Sequence, residues 1–88
     1  MDIEFDSAKD RANIAKHGLS LSEARRFDWD NALVVEDASE SYGEPRFRAL
    51  GFVGGGLHMM AFTMRSETIR VISLRKATRG EWKRWSQE

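Results

Sequence analysis

"RFRALGFVGGGLHMMAFTMRSETIRVISLRK", residues 46–76, holds three strand-length runs separated by two very short breaks. The runs "RFRALGFV", "LHMMAFTM" and "TIRVISLRK" are rich in β-branched and aromatic residues, the side chains that pack well on a pleated surface. The breaks, "GGG" (54–56) and "RSE" (65–67), leave room only for hairpins, which makes the three strands antiparallel neighbours. Upstream, "ALVVE" from residue 32 reads as another strand, joined to the first by the polar loop "DASESYGEP". Downstream, "TRGE" (Thr78 to Glu81) has the spacing of a capping box and opens a terminal helix with Trp82 and Trp85, somewhat weakened by Gly80.

The first thirty residues have a helical rhythm instead. Ile3 and Phe5 alternate with acids as in a short strand, and Ser7 followed by Asp10 resembles a capping pattern ahead of a helix over 8–17. Gly18 supplies the left-handed residue that ends helices, with Lys16 and His17 in the last turn, where positive charge meets the negative end of the dipole. "SLSE" (Ser20 to Glu23) predicts a second capping box and a short helix with Leu21, Ala24 and Phe27 inward and Arg25 and Arg26 outward, broken by "DWDN". The expected class is α+β in one domain, 1–88: two N-terminal helices, an antiparallel sheet of about four strands and a C-terminal helix. Such a sheet packs one face on helices and leaves the other partly open.

Composition narrows the function. Hydrophobic residues at 41% against 32% charged describe a chain that folds around a core. With no cysteine, disulfide and thiolate chemistry are excluded. No apolar stretch approaches the roughly 20 residues needed to cross a bilayer, and the acidic start lacks the pattern of a signal peptide. We therefore expect a cytoplasmic location without membrane contact. The zero net charge hides an asymmetry: residues 1–44 carry five Lys/Arg against eleven Asp/Glu, and residues 45–88 carry nine against three. A basic half suits nucleic acid, because Lys/Arg contacts to phosphate release counterions; the alternative is that the halves fold together and neutralise one another.

No metal-ligand spacing, P-loop or activated serine is visible, so neither metal nor cofactor is expected. What stands out is a set of strand arginines, Arg46, Arg48, Arg65, Arg70 and Arg75, with Lys76 beside the last. Strict alternation puts Arg75 on one face with Ser73, Val71 and Ile69, and Arg70 on the other with Ile72, Leu74 and Lys76. Guanidinium groups hold phosphate bidentately and stabilise the charge that develops on it, or else flank the sheet in salt bridges. His17 is suited either to proton transfer near neutral pH or to dipole compensation. Glu44 is either a general base or a solvated loop acid, His58 reads as a packing residue, and Trp82 and Trp85 as a core stripe or a base-stacking pair.

Three phrases, "IEFDSAKDRANIAKHGLSLSEA" (3–24), "YGEPRFRALGFVGG" (42–55) and "FTMRSETIRVISLRKATRGE" (62–81), together resemble the BrnT family of type II toxin–antitoxin ribonucleases. The specific elements are "KHG-S--EA", "YGE-R" and "R-IS-RKAT--E". The resemblance implies a RelE-like fold and a metal-independent endoribonuclease that restrains growth. It also implies a BrnA-type antitoxin with a ribbon-helix-helix segment, operator DNA being met only through the complex. Carried over by position, it implies His17, Glu44, Arg65 and Arg75 as catalytic and Arg46, Arg70 and Lys76 as substrate-binding. Pro45, "FTMR" and the two tryptophans of the last helix depart from the family's pattern. The alternatives are an inactive antitoxin-binding module and a basic nucleic-acid-binding domain.

Overall fold

The computed structural model describes residues 2–37 and 44–87, so most of the polar loop, Tyr42 included, lies outside the described residues. The chain runs β1 (Ile3–Glu4), α1 (Ser7–His17), two 3-10 segments (Leu21–Arg26 and Trp29–Asn31), β2 (Leu33–Asp37), β3 (Arg46–Val53), β4 (Gly56–Arg65), β5 (Thr68–Lys76) and α2 (Arg79–Ser86). The four strands read from the sequence form an antiparallel meander, β2 to β5. The sheet nevertheless has five strands, ordered β1-β5-β4-β3-β2. β1 joins parallel to the outer edge of β5, Ile3 opposite Ile69. The alternation of Ile3 and Phe5 with acids does mark a short strand here, but its partner is distant in sequence and two paired residues are too few to identify it.

The second N-terminal helix is 3-10, not α. Ser20 Oγ accepts the N–H of Ser22 at 3.2 Å instead of that of Glu23. Asp10, reaching across from α1, accepts from Ser20 Oγ at 3.0 Å and from the Leu21 N–H at 2.7 Å. Glu23, released from the expected capping box, pairs with Arg26 at 2.8 Å. The 3-10 period of three suits the sequence, because it aligns Leu21, Ala24 and Phe27 on one face, and all three are buried. At the start of α1 the cap is Asp6, accepting from Lys9 N–H at 3.0 Å, one residue before the expected serine. Gly18 closes α1 at φ 72°, its N–H donating to the Ile14 carbonyl.

Both faces of the sheet are apolar, but over different lengths. One is covered by the 3-10 segment, with Leu21, Ala24 and Phe27 on Ala49, Met60, Phe62, Ile69, Val71 and Leu74. Phe27 lies so close over β3 that a Cβ at Gly51 would sit 2.5 Å from its ring. The other face is covered at one end only, where Leu50, Leu57 and Met59 meet Phe52 and Trp85. Trp85 Nε1 donates to the Asn31 carbonyl at 2.9 Å, anchoring α2, while Trp82 stays 41% exposed. The tryptophans divide between core and surface.

α1 is tied to β5 by one side chain. Asn13, 5% exposed, donates through Nδ2 to the carbonyls of Leu74 (2.8 Å) and Leu19 (2.9 Å) and accepts the Leu74 N–H at 3.2 Å. It thus bonds both backbone groups of Leu74, the work of a neighbouring strand, beyond the reach of the two-residue β1. Asn13→Ala leaves these groups unpaired and should cost about 3 kcal/mol in urea unfolding; a loss under 1 kcal/mol would show that Asn13 is not the tie. Gly51→Ala should cost about 1–3 kcal/mol by overpacking against Phe27.

Candidate active site

The arginine face is made by an irregularity in β5. Ala61 of β4 lies opposite Ser73, but its neighbour Phe62 lies opposite Val71, leaving Ile72 as an extra, bulged residue. Arg70 is thereby set opposite Thr63 and Arg75 opposite Met59, positions that share a face of β4. Arg70 and Arg75 therefore lie on the same face of the sheet, which corrects the opposite placement that strict alternation predicts. Arg46 faces Thr63 and Arg48 faces Ala61 across β3, and Arg65 follows Thr63 by one full alternation. All of the strand arginines thus project from the partly open face, the one that α2 covers at one end. Lys76 opposes His58, on the other face, and is not brought to them. His58 is buried, its Nδ1 2.8 Å from the Gly56 carbonyl.

Acids from other elements hold at least four of these arginines. Arg48 pairs with Asp37 at 3.2 Å, Arg65 with Glu44 at 3.4 Å, Arg70 with Glu4, and Arg75 with Glu81 through two bonds of 2.8 and 2.9 Å. Except for the last, each pair joins an acid of the first half to an arginine of the second. The two halves of the charge distribution do fold against each other, and they do so on this face.

Two adjoining clefts border Ile72. Glu44, Arg46, Thr63, Arg70 and Lys9 line the first, of ≈ 120 Å³. His17, Lys16, Asn13 and Ser73 line the second, of ≈ 230 Å³, which shares Lys9 and Ile72 with the first. Glu44 is therefore grouped with the arginines, and His17 is at the flank of β5. Among the described residues no three acidic or histidine side chains converge as metal ligands. Sequence reasoning missed Glu4, Lys9 and Asp37 because their place depends on which strand or helix lies alongside.

Arg75 does structural work as well. Glu81 completes the capping box of α2, accepting from the Thr78 N–H at 2.8 Å while its own N–H reaches Thr78 Oγ1 at 3.1 Å. The paired hydrogen bonds from Arg75, aided by the Thr78 N–H and opposed by burial, hold the Glu81 carboxyl down at about 2. Glu81 in turn makes the Arg75 guanidinium harder to deprotonate. The pair clamps α2 to the sheet and fixes the edge of the arginine face.

A family model described as the ribonuclease toxin BrnT of type II toxin–antitoxin systems matches residues 5–81, a span that includes the arginine strands, both clefts and Glu81. The chain belongs to the BrnT family. A comparison with curated proteins returns no match. As a BrnT ribonuclease toxin the chain has RNA as its substrate and an antitoxin as its partner. Among the described residues no helix is long and apolar enough to cross a membrane. Guanidinium groups gathered on one open face have the chemistry to hold phosphate oxygens.

The Glu81 pair predicts a pH dependence. Its folded value of about 2 lies below the unfolded value near 4.5, so its stabilisation is present above about pH 4.5 and fades as pH falls toward 2. Glu81→Gln should be less stable than wild type at neutral pH, by roughly 1 kcal/mol from the cap and the partly exposed pair. The difference should close by about pH 2. Unfolding curves at several pH values check this; a gap that persists at pH 2 would assign the loss to packing.

Proposed function

We propose that this BrnT chain is a metal-independent endoribonuclease that uses the ribose 2′-hydroxyl as its nucleophile. The 2′-oxygen bonds to the adjacent phosphorus, the bond to the 5′-oxygen breaks, and the products are a 2′,3′-cyclic phosphate and a 5′-hydroxyl. The 2′-hydroxyl proton passes to Glu44, and the departing oxygen takes a proton from His17 or water. Arg46, Arg65 and Arg70 hold the non-bridging oxygens as charge builds up on them. The observation that carries this reading is the grouping of Glu44 with Arg46 and Arg70 in one cleft and its ion pair with Arg65. An incoming phosphate exchanges for the carboxylate on Arg65, which frees Glu44 to accept the proton. Arg75, already engaged by Glu81, acts mainly by positioning. DNA, without a 2′-hydroxyl, is not cut.

The family places the chain opposite an antitoxin, and we take that antitoxin to be of the BrnA type, with a ribbon-helix-helix segment through which the complex meets operator DNA. Unrestrained cleavage in the cytoplasm would then stop translation and growth. The arrangement of helices, antiparallel meander and C-terminal helix supports a RelE-like architecture.

Glu44→Gln and Arg70→Ala should each lower cleavage of a defined RNA about 10²-fold to 10³-fold without unfolding the chain. His17→Gln, which leaves Glu44 and water in place, should cost less. Full activity in Glu44→Gln would remove it as the base. RNA left intact by folded wild-type chain would favour an antitoxin-binding module instead.

A further inference from the structure

Another cavity on the arginine face is separate from the Glu44 cleft. It occupies ≈ 330 Å³ between α2 and strands β2, β3 and β4. Leu33 and Val35 give it apolar walls, and two arginines, Arg48 and Arg84, with three acids, Glu36, Asp37 and Glu81, give it charged edges. Leu50 and Met59 are 2% and 8% exposed, so these surfaces belong to the core cluster under α2 and their shape is set by packing. The recess therefore combines an apolar floor with a charged rim, and its volume falls within the roughly 300–1,000 Å³ usual for small-ligand sites.

The strand register connects this recess to the proposed phosphate cleft. Arg46, Thr63 and Arg70 form one row across the face, Arg48, Ala61 and Ser73 the next, and Leu50, Met59 and Arg75 the third. Rows two residues apart along a strand are spaced by about 7 Å. The small side chains of Ala61 and Ser73 keep the middle row low, so a chain held by its phosphate at the first row can extend over the second and lower a base into the third. Arg48 stands at the lip of the recess, charged to meet the connecting backbone.

We propose that this recess is a nucleobase pocket that selects the nucleotide beside the cut, a proposal that rests on the ribonuclease reading for its choice of ligand. Leu33 and Val35, the accessible apolar residues of the lining, receive the face of the base, and the carboxylate edge accepts hydrogen bonds from an exocyclic amino group. Carboxylates only accept, and uracil, the RNA base that has no exocyclic amine, offers them only a ring N3–H flanked by two carbonyl oxygens that repel a carboxylate, so the pocket favours adenine, cytosine and guanine. Specificity of this kind comes from base edges, while phosphate contacts give register without sequence information.

The test uses binding, so that it does not depend on cleavage. The ¹⁵N-labelled chain is titrated with four non-cleavable 2′-O-methyl tetranucleotides, one for each base. The A, C and G oligonucleotides should shift the amides of Leu50, Met59 and Arg84 and bind about tenfold tighter than the U oligonucleotide, the range expected for one good base contact. Val35→Trp, a change at an exposed edge position lining the recess, should abolish that preference while leaving the salt-dependent phosphate binding. Arg84→Ala, which leaves Val35 in place, should weaken binding of the preferred oligonucleotides. Equal affinity for all four, shifts confined to the Glu44 cleft, or no binding at all would overturn the pocket. Binding with the predicted preference by a chain that cuts no RNA would keep the pocket and overturn the cleavage chemistry.

Discussion

Between Ala61 and Phe62 of β4 the opposing strand advances by two residues instead of one, and Ile72 is left over. Without that residue, Arg70 and Arg75 would point to opposite sides of the sheet, one of them toward the face buried under the 3-10 segment. With it, β5 delivers Val71 and Leu74 to the buried face, both essentially inaccessible, and both arginines to the open one. Bulges occur where a side chain has to be re-aimed, and here the re-aiming serves core and surface together. Ile72 also borders both clefts, so the irregularity that gathers the arginines lies at the centre of the concave surface they line.

Gathering so many guanidinium groups on one face is costly unless their charge is balanced, and the acids of β1, β2, the segment before β3 and α2 balance it. Most of these pairs are partly exposed, so they add little to stability. They hold the arginines in place, and under the proposed chemistry they would exchange for phosphate oxygens. The Arg75–Glu81 pair is the exception, since it is bidentate, less exposed and tied into the helix cap. It is better suited to holding α2 than to yielding to a ligand.

Much of the frame could be read from local pattern. The hairpins of β3, β4 and β5 follow from two short breaks, Gly18 ended α1 as its conformational freedom requires, and the Thr78–Glu81 capping box is present as the spacing implied. What escaped was whatever depends on distant partners. β1 is legible as a short strand but carries nothing that matches it to β5, and Asp10, which looks like a helix-capping acid, instead serves the next segment. The arginines were identifiable by type and strand position, but strict alternation assigned two of them to the wrong relation. A bulge depends on how two strands pair, and neither strand's sequence displays it. Glu44 could be named as a candidate but not joined to Arg65, because that contact closes only when β3 and β4 are side by side.

The central claim is that the arginine face supports attack by a ribose hydroxyl, and the chemistry of the cut ends reports on it directly. Purified chain incubated with RNA in excess EDTA should give fragments ending in 2′,3′-cyclic phosphate, each paired with a fragment beginning in a 5′-hydroxyl. Fragments carrying 5′-phosphate and 3′-hydroxyl ends, or cleavage that EDTA abolishes, would contradict the account, because water or a metal-activated nucleophile would then have attacked in place of the 2′-oxygen.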